Sequence, residues 1–74
     1  MFYAVIIKQK DEPFFIEMED DSFVTTTDSG KMFLFHDVEI ATDVAKMFTD
    51  KYSGITAHVI TVEIEFNEVG RFES

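Results

Sequence analysis

A helical repeat of apolar residues occurs in only one stretch of this sequence, and it limits how much of the chain can be helix. The repeat has members at i, i+3, i+4, i+7 and i+11, which lie on one face of an α-helix. They are Ala41, Val44, Ala45, Phe48 and Tyr52. Asp37 is a suitable N-cap before the repeat, and Gly54 is a suitable left-handed residue after it. A single amphipathic helix must bury its apolar face against other elements of the chain.

The other apolar segments have the composition or the period of β-strands. Residues 2–7 form a nearly continuous β-branched and aromatic run, which is typical of a strand in the middle of a sheet. Further strands are predicted at residues 14–19, 23–27, 32–35 and 58–66. The predicted fold class is α+β: an antiparallel sheet of about four to five strands, built as a β-meander, one helix and a final strand. We expect the helix to pack on one sheet face, and the last strand to pair antiparallel with the first.

Two of these strands alternate, so the side on which each residue lies can be predicted. In residues 14–19, the side away from the helix holds Phe15, Glu17 and Glu19. In residues 58–66, that side is predicted to hold Val59, Thr61, Glu63 and Glu65, and the core side Ile60, Val62, Ile64 and Phe66. This assignment predicts that four glutamates, Glu17, Glu19, Glu63 and Glu65, lie together on the sheet face that the helix leaves open.

The charge of the chain restricts its partners. Six Lys and Arg residues against fifteen Asp and Glu residues give a formal net charge of −9 at pH 7. A field of that sign repels DNA, RNA and anionic membranes, so direct binding to nucleic acid or to a membrane is not expected. A basic protein is the natural partner, because opposite charges steer the encounter.

The size of the chain and its lack of cysteine limit how it can be stabilised. With 74 residues it is expected to form a single domain, 1–74, of which 67–74 has no period and is predicted to be a loose tail. There is no cysteine, so disulfides and thiolate metal sites are excluded, and we expect a cytoplasmic location. Small domains often gain stability from self-association, which makes a homodimer the expected state.

Sequence motifs for catalysis are absent. The chain contains no GxGxxG, Walker, HExxH, CxxC or EF-hand pattern. His36 beside Asp37 is an acid–base pair in one interpretation and a histidine next to a helix N-cap in the other, which we favour. His36 and His58 lack the local spacing of metal ligands, so a metal-assisted enzyme is the weaker hypothesis. We therefore expect a protein that is not an enzyme and needs no cofactor.

Acidic residues are the most informative feature for function. The candidate partner-binding residues are Glu17, Glu19, Asp20, Asp21, Glu63 and Glu65, together with Phe15. Carboxylates held on a sheet could imitate the phosphate array of DNA, and they would lose less entropy on binding than a flexible tail. The simpler interpretation is that these charges keep the open face soluble and prevent edge-to-edge pairing.

Aromatic residues provide an alternative. Nine Phe and two Tyr are more than one helix and one sheet face of this size require. Phe15 shares the side of the glutamates, and exposed aromatics ringed by charge indicate a protein interface. A structural or assembly accessory that associates through such aromatics is the second functional hypothesis, and a homodimer through the sheet is compatible with it.

The layout resembles that of small phage-encoded proteins. The resemblance rests on the strand that opens at residue 2, on Phe33 and Phe35 before the helix, and on Ala41 and Ala45 inside it. It also rests on the closing Val-Glu-Ile-Glu segment at 62–65. In size and charge the chain is similar to the acidic inhibitors that phages direct against host DNA-binding proteins, including DNA mimics aimed at the nucleoid protein HU. The resemblance implies a role in host takeover, with carboxylates in place of phosphates.

Overall fold

The computed structural model describes residues 1–63, 70, 71 and 73, which form an antiparallel sheet and one helix. The elements are β1 (Phe2–Gln9), β2 (Glu12–Glu19), β3 (Ser22–Thr26), a 3-10 turn (Ser29–Lys31), α1 (Val38–Lys51) and β4 (Thr56–Val62). Most of the predicted tail, 67–74, and the predicted end of the last strand lie outside the described residues. The α+β class with one helix packed on the sheet is confirmed. Within the described part of the chain, no helix is long and apolar enough to cross a membrane.

The four strands are ordered β3-β2-β1-β4, with antiparallel neighbours throughout. The first three are consecutive hairpin partners, and α1 returns the chain so that β4 pairs with the free side of β1. The pairs run from Phe2 opposite Val62 to Lys8 opposite Thr56. The predicted pairing of the last strand with the first is therefore confirmed, and the apolar run of residues 2–7 belongs to a central strand.

Both hairpins turn in two residues without glycine. Lys10 and Asp11 have φ values of 51° and 66°, and Asp20 and Asp21 have φ values of 48° and 62°. Positive φ at both central residues is the requirement of a type I′ turn, whose twist matches that of the strands it joins. Because the first turn is so short, β2 begins at Glu12 rather than at the predicted residue 14.

Residues 32–35 were expected to form a strand, but the structure has only a single bridge there. Tyr3 and Phe35 are paired antiparallel, and the Phe33 N–H donates to the Ile16 carbonyl oxygen at 2.8 Å. The segment therefore hydrogen-bonds to β1 on one side and to β2 on the other. The regular pairing of β1 with β2 ends at Ile6 opposite Phe15, where this segment enters the sheet.

The helix covers one sheet face through the predicted stripe. Four of its five members are buried, and the fifth, Tyr52, is the C-cap and is 48% exposed. The core contains Val5, Ile7, Ile16, Phe35, Ala41, Val44, Ala45 and Phe48. Asp37 is the N-cap, as predicted, and its side chain accepts a hydrogen bond from the Glu39 N–H at 2.8 Å. Gly54 has a φ of 77° and provides the left-handed residue after the helix.

The predicted facing of the last strand is wrong. Val59 pairs with Val5 and packs against the core, as does Ala57, whereas Ile60 pairs with Ala4 on the opposite face. Both sides of β4 are apolar, so the strand itself does not reveal which side faces the helix. The prediction relied on Glu63 and Glu65, but β4 ends at Val62, before either of them.

Candidate functional site

The sheet face opposite α1 is a continuous surface that we call the open face. Residues paired across neighbouring strands lie on the same face, so the register defines its members. They are Phe2, Ala4, Ile6 and Lys8 on β1, Pro13, Phe15, Glu17 and Glu19 on β2, Ser22, Val24 and Thr26 on β3, and Thr56, His58, Ile60 and Val62 on β4. Phe15 is therefore on the open face, as predicted. None of these residues belongs to the core beneath α1.

The centre of the open face is apolar. Ile6 pairs with Phe15 on β2 and with His58 on β4, and Ala4 pairs with Ile60. Ala4 is 0% exposed although α1 lies on the other side of the sheet. The other apolar residues of the open face in β1 to β4 are only half-buried: Phe2, Ile6, Phe15, Val24, Ile60 and Val62. An apolar sheet face of this extent is typical of a surface that another chain or segment covers.

The expected aromatic contribution to the open face is only partly confirmed. Phe2 lies there, and its ring centroid is 4.6 Å from that of His36. Phe33 and Phe35, which precede the helix, instead pack in the core with Phe23. Leu34 lies between them in the chain and is half-buried. The aromatic excess of the sequence is therefore explained largely by the core cluster of Phe23, Phe33 and Phe35.

Glu17 and Glu19 lie on the open face in β2, as predicted. Glu19 is exposed, whereas Glu17 is half-buried. The Oε2 atom of Glu17 is buried and has no hydrogen-bond donor among the described residues.

Three consecutive carboxylates form a surface that we call the acidic tip: Glu19, Asp20 and Asp21. Asp20 and Asp21 occupy the turn between β2 and β3, and all three side chains are exposed. Within the described part of the chain the ion pair found is Arg71 with Glu73, so no cation neutralises the tip there. The turn fixes the backbone of the two aspartates and projects their charge from the end of the sheet.

Glu63 and Glu65 do not extend this surface in the way the sequence predicted. Glu63 is exposed and follows the last residue of β4. Glu63 lies two residues after Thr61 and therefore continues the same side of the strand. Thr61 pairs with Tyr3 on the side that faces the helix. β1 and residues 33–35 lie between β2 and β4. The ends of β2 and β4 are therefore three strand spacings apart, which is about 14 Å at ~4.8 Å per spacing. Glu65 lies outside the described residues.

The two histidines are exposed. His58 is on the open face in β4, and the His36 ring, just before the helix N-cap, contacts that of Phe2 in a tilted arrangement. Among residues 1–63, 70, 71 and 73 there is no group of three or more His, Cys, Asp or Glu side chains arranged to hold a metal ion. The metal-assisted hypothesis thus gains no site from the described residues.

A groove that the sequence pattern did not predict runs between the end of α1 and the β2–β3 hairpin. Its volume is about 770 Å³, and its apolar lining includes Phe14, Phe23, Met47, Phe48, Tyr52 and Ile55. Met47 is 47% exposed, and among the described lining residues only Lys51 is charged, with its Nζ atom 5.4 Å from the Tyr52 ring centroid. The exposed Met47 was the available signal, because it lies off the buried stripe of the helix.

Comparison of the chain with models of protein families, with curated proteins and with solved structures found no match.

Proposed function

We propose that this chain is a non-enzymatic, acidic binding protein whose acidic tip docks on a basic surface of a partner protein. The partner class we propose is a DNA-binding protein, whose DNA site the carboxylates would occupy, as the resemblance to phage inhibitors implies. The observation that carries the proposal is the acidic tip itself: three consecutive exposed carboxylates with no neutralising cation among the described residues.

The turn geometry supports a role in recognition. Glycine at the second position of a type I′ turn adopts positive φ at lower cost than Asp21, whereas aspartate is common at the first position. Positive φ at both positions holds the two aspartates in a defined turn, as it holds Lys10 and Asp11 at the other end of β2. Because their backbone is already ordered, binding costs less entropy than it would for a flexible acidic tail.

The three carboxylates of the tip follow one another directly along the chain. Consecutive Cα atoms are ~3.8 Å apart, and one DNA strand places a phosphate about every 3.4 Å along its axis. The net charge of −9 adds a long-range field that attracts a basic partner and accelerates association. Complexes that depend on such charges weaken as salt screens them, with a Debye length of about 8 Å at physiological ionic strength.

The proposal is tested by capture of a partner and competition with DNA. The tagged chain is incubated with a bacterial lysate at low salt, and bound proteins are eluted with a salt gradient and identified by mass spectrometry. A basic DNA-binding protein that elutes at moderate salt, and that duplex DNA displaces, is the expected result. Partners that elute independently of salt, or that DNA does not displace, would contradict the proposal.

Two matched variants distinguish the effect of the acidic tip on binding from the effect of net charge. E19Q/D20N/D21N removes three charges at the tip with little change in shape. E12Q/D43N/D50N removes three charges from exposed positions elsewhere. We expect the tip variant to lose the captured partner and the control to retain it. Equal losses in both variants would show that net charge, and not this surface, produces binding.

A second function is favoured by the apolar open face. A structural or assembly accessory would associate through Phe15 and its neighbours, and its binding would depend little on salt because apolar burial drives it. Replacing Phe15 by serine should then abolish the association, whereas the tip variant should retain it. The two candidate functions thus predict opposite outcomes for the Phe15 variant and the tip variant.

A further inference from the structure

We propose that the free edge of β3 binds an extended segment of a partner protein as an added antiparallel strand. Alternate apolar side chains of that segment lie in the groove beside α1, and basic residues at its carboxyl end meet the acidic tip. This binding mode deepens the proposed function, on which only the basic end of the segment rests. Three observations carry it: the unpaired backbone of β3, the groove alongside it, and the position of the tip at its start.

The outer backbone groups of β3 belong to Phe23 and Thr25. In a two-residue hairpin the residues that flank the turn form a hydrogen-bonded pair, and bonded and non-bonded pairs then alternate along the strands. Thr25 lies opposite Ile16 in a non-bonded pair, so the N–H and C=O groups of both residues point away from each other. The Ile16 carbonyl oxygen agrees with this, because it accepts from the Phe33 N–H on the far side of β2. Phe23 opposite Met18 is in the same position.

These outer groups have no strand partner among the described residues. β3 is at one end of the strand order β3-β2-β1-β4, and the strand it pairs with is β2. It carries no charged residue and no proline, and its register has no bulge. Apart from its length of five residues, it therefore lacks the usual features that prevent an edge from pairing with another chain. Two N–H donors and two C=O acceptors are available to an added strand.

A groove lies along this edge: the one between the end of α1 and the β2–β3 hairpin, which we call the edge groove. Four consecutive residues of β3, 22–25, line it. Because consecutive strand residues lie on alternate faces, the edge groove reaches the backbone of β3 as well as its side chains. α1 packs over β1 and β4, which leaves the helix side of β2 and β3 as the floor. The edge of β3 differs in this respect from the edge of β4.

The side chains of an added strand enter the edge groove because of the register. Residues directly opposite in an antiparallel pair share a face, and Phe23 and Thr25 lie on the helix side. The residues that bond to their outer groups therefore point toward α1, about 6.6 Å apart at ~3.3 Å per residue. The wall there includes the exposed Met47, and a second cavity of about 270 Å³ joins Phe23 to Ile40, seven residues earlier on the same side of the helix. Apolar residues at every second position fit this lining.

The acidic tip determines the direction of the added strand. Asp21 directly precedes Ser22, the first residue of β3, so the tip lies at the start of the edge. An antiparallel strand runs from Thr26 toward Ser22 and brings its carboxyl end to Asp20 and Asp21. Basic residues are therefore favoured at that end. Lys51 lines the edge groove at the end of α1 and disfavours a second cation in the apolar part of the segment.

Titration of the isotopically labelled full chain with the peptide Ac-Thr-Val-Thr-Leu-Thr-Lys-Lys-amide, followed by nuclear magnetic resonance, tests this binding mode. The peptide has alternate apolar residues and a basic carboxyl end. At about ten times its dissociation constant, the Phe23 and Thr25 N–H groups should exchange with solvent about tenfold more slowly, because only the free chain exposes them. The outer amides of β4, at the other edge of the sheet, are the control and should be unchanged.

Matched peptides distinguish backbone pairing from side-chain contact. N-methylation of the peptide leucine removes a donor that faces β3 and introduces a clash, so binding should weaken about tenfold or more. N-methylation of the threonine before it alters an N–H that faces solvent, and binding should stay within about threefold.

Variants of the chain test the edge and the wall separately. Thr25→Pro removes an outer donor that no described residue uses, so the fold should be retained. Met47→Ser removes part of the apolar wall. Each should weaken peptide binding about fivefold or more, because each removes a contact worth about 1 kcal/mol. Val38→Ser, at a similarly exposed helix position outside the lining of the edge groove, should not.

Three results would overturn this binding mode. They are the absence of saturable binding up to millimolar peptide, equal effects of the two N-methylated peptides, and unchanged peptide binding by folded Thr25→Pro and Met47→Ser chains. E19Q/D20N/D21N should reduce the salt dependence of peptide binding, and an unchanged salt dependence contradicts the assigned direction.

The lysate capture separates this binding mode from the proposed function. If Thr25→Pro and Met47→Ser retain a partner that the tip variant loses, the proposed function stands and the edge groove is not part of its site. If peptide binding depends on the edge but DNA displaces no captured partner, the edge site stands and the proposed function fails.

Discussion

Tyr3 and Phe35 exchange both of their backbone hydrogen bonds, at 2.8 Å from the Tyr3 N–H and at 2.7 Å from the Phe35 N–H. This pairing anchors the segment before the helix between β1 and β2, and it places Phe35 in the core at 3% exposure. The Phe35 ring lies 4.7 Å from that of Phe33 and 5.6 Å from that of Phe23. The segment thus joins three elements that are distant in the sequence.

Truncation of Phe35 is expected to be among the most destabilising changes in the chain. Phe35→Ala removes a buried ring and should cost about 3–5 kcal/mol of unfolding free energy. A domain of this size has a total stability of roughly 4–11 kcal/mol, so the variant should be marginally folded. Urea denaturation followed by circular dichroism measures the change.

Leu34→Ala is the matched control for Phe35→Ala. Leu34 is the next residue in the chain but is only half-buried, so its truncation should cost clearly less. Equal costs for the two variants would show that the segment contributes through its backbone bonds alone and not through the Phe35 ring.

The turn that carries the acidic tip is expected to be conformationally suboptimal. Replacing Asp20-Asp21 by Asn-Gly should raise the unfolding free energy by about 1 kcal/mol, because these residues adopt positive φ at lower cost. The same variant should lose partner binding, since it removes two of the three tip charges. Thermal unfolding and the capture experiment measure the two effects on one protein.

Lys10-Asp11 provides the comparison for this turn. Its φ values are similar, so Asn-Gly at positions 10 and 11 should give a similar gain in stability. It lies at the opposite end of β2, away from the tip, so partner binding should be retained. If both turn variants lose the partner, the acidic tip is not the surface that binds.

The Asp37 cap is expected to contribute measurably to the helix. Asp37→Ala removes the acceptor for the Glu39 N–H and should lower the unfolding free energy by about 1 kcal/mol. Asp37→Ser retains an acceptor and should recover most of that loss. A serine variant as unstable as the alanine variant would assign the effect to the charge of Asp37 at the helix N-terminus, and not to the hydrogen bond.

Gly54 tests a purely conformational cost. It has a φ of 77°, and a Cβ atom added there would meet nothing within 4 Å. Gly54→Ala should therefore lower stability by about 1 kcal/mol without any steric clash, and Gly54→Asn should cost less. Chemical denaturation of the two variants distinguishes them, and an unchanged alanine variant would contradict the assigned strain.

The sequence predicted the helix, the central strand and the pairing of the last strand because each depends on a strong local pattern. The stripe from Ala41 to Phe48 has the helical period, and its four members are buried. Phe15, Glu17 and Glu19 were placed on the correct face because Ile16 between them is apolar and fully buried. When one side of a strand is polar and the other apolar, the sequence alone predicts which side faces the core.

The rest depended on tertiary structure. Residues on both sides of β4 are apolar, so only the pairing of Val59 with Val5 decides which side faces α1. The bridge at Phe35 requires β1 and β2 to separate beyond Ile6 and Phe15, which no local pattern indicates. Because the facing of β4 was not readable, Glu63 was expected on the same face as Glu17 and Glu19. In the structure, Glu19 adjoins the turn between β2 and β3, and Glu63 follows the end of β4.

The strand order also has a consequence for the rate of folding. β1, β2 and β3 form through two tight turns, so their contacts are local and can form within microseconds. The pairing of Phe2 with Val62 is the opposite case, because it closes a loop that contains the helix and most of the chain. During synthesis, β1 must therefore remain unpaired on one side until residue 62 has left the ribosome. Completion of the sheet by β4 is then the slow step of folding.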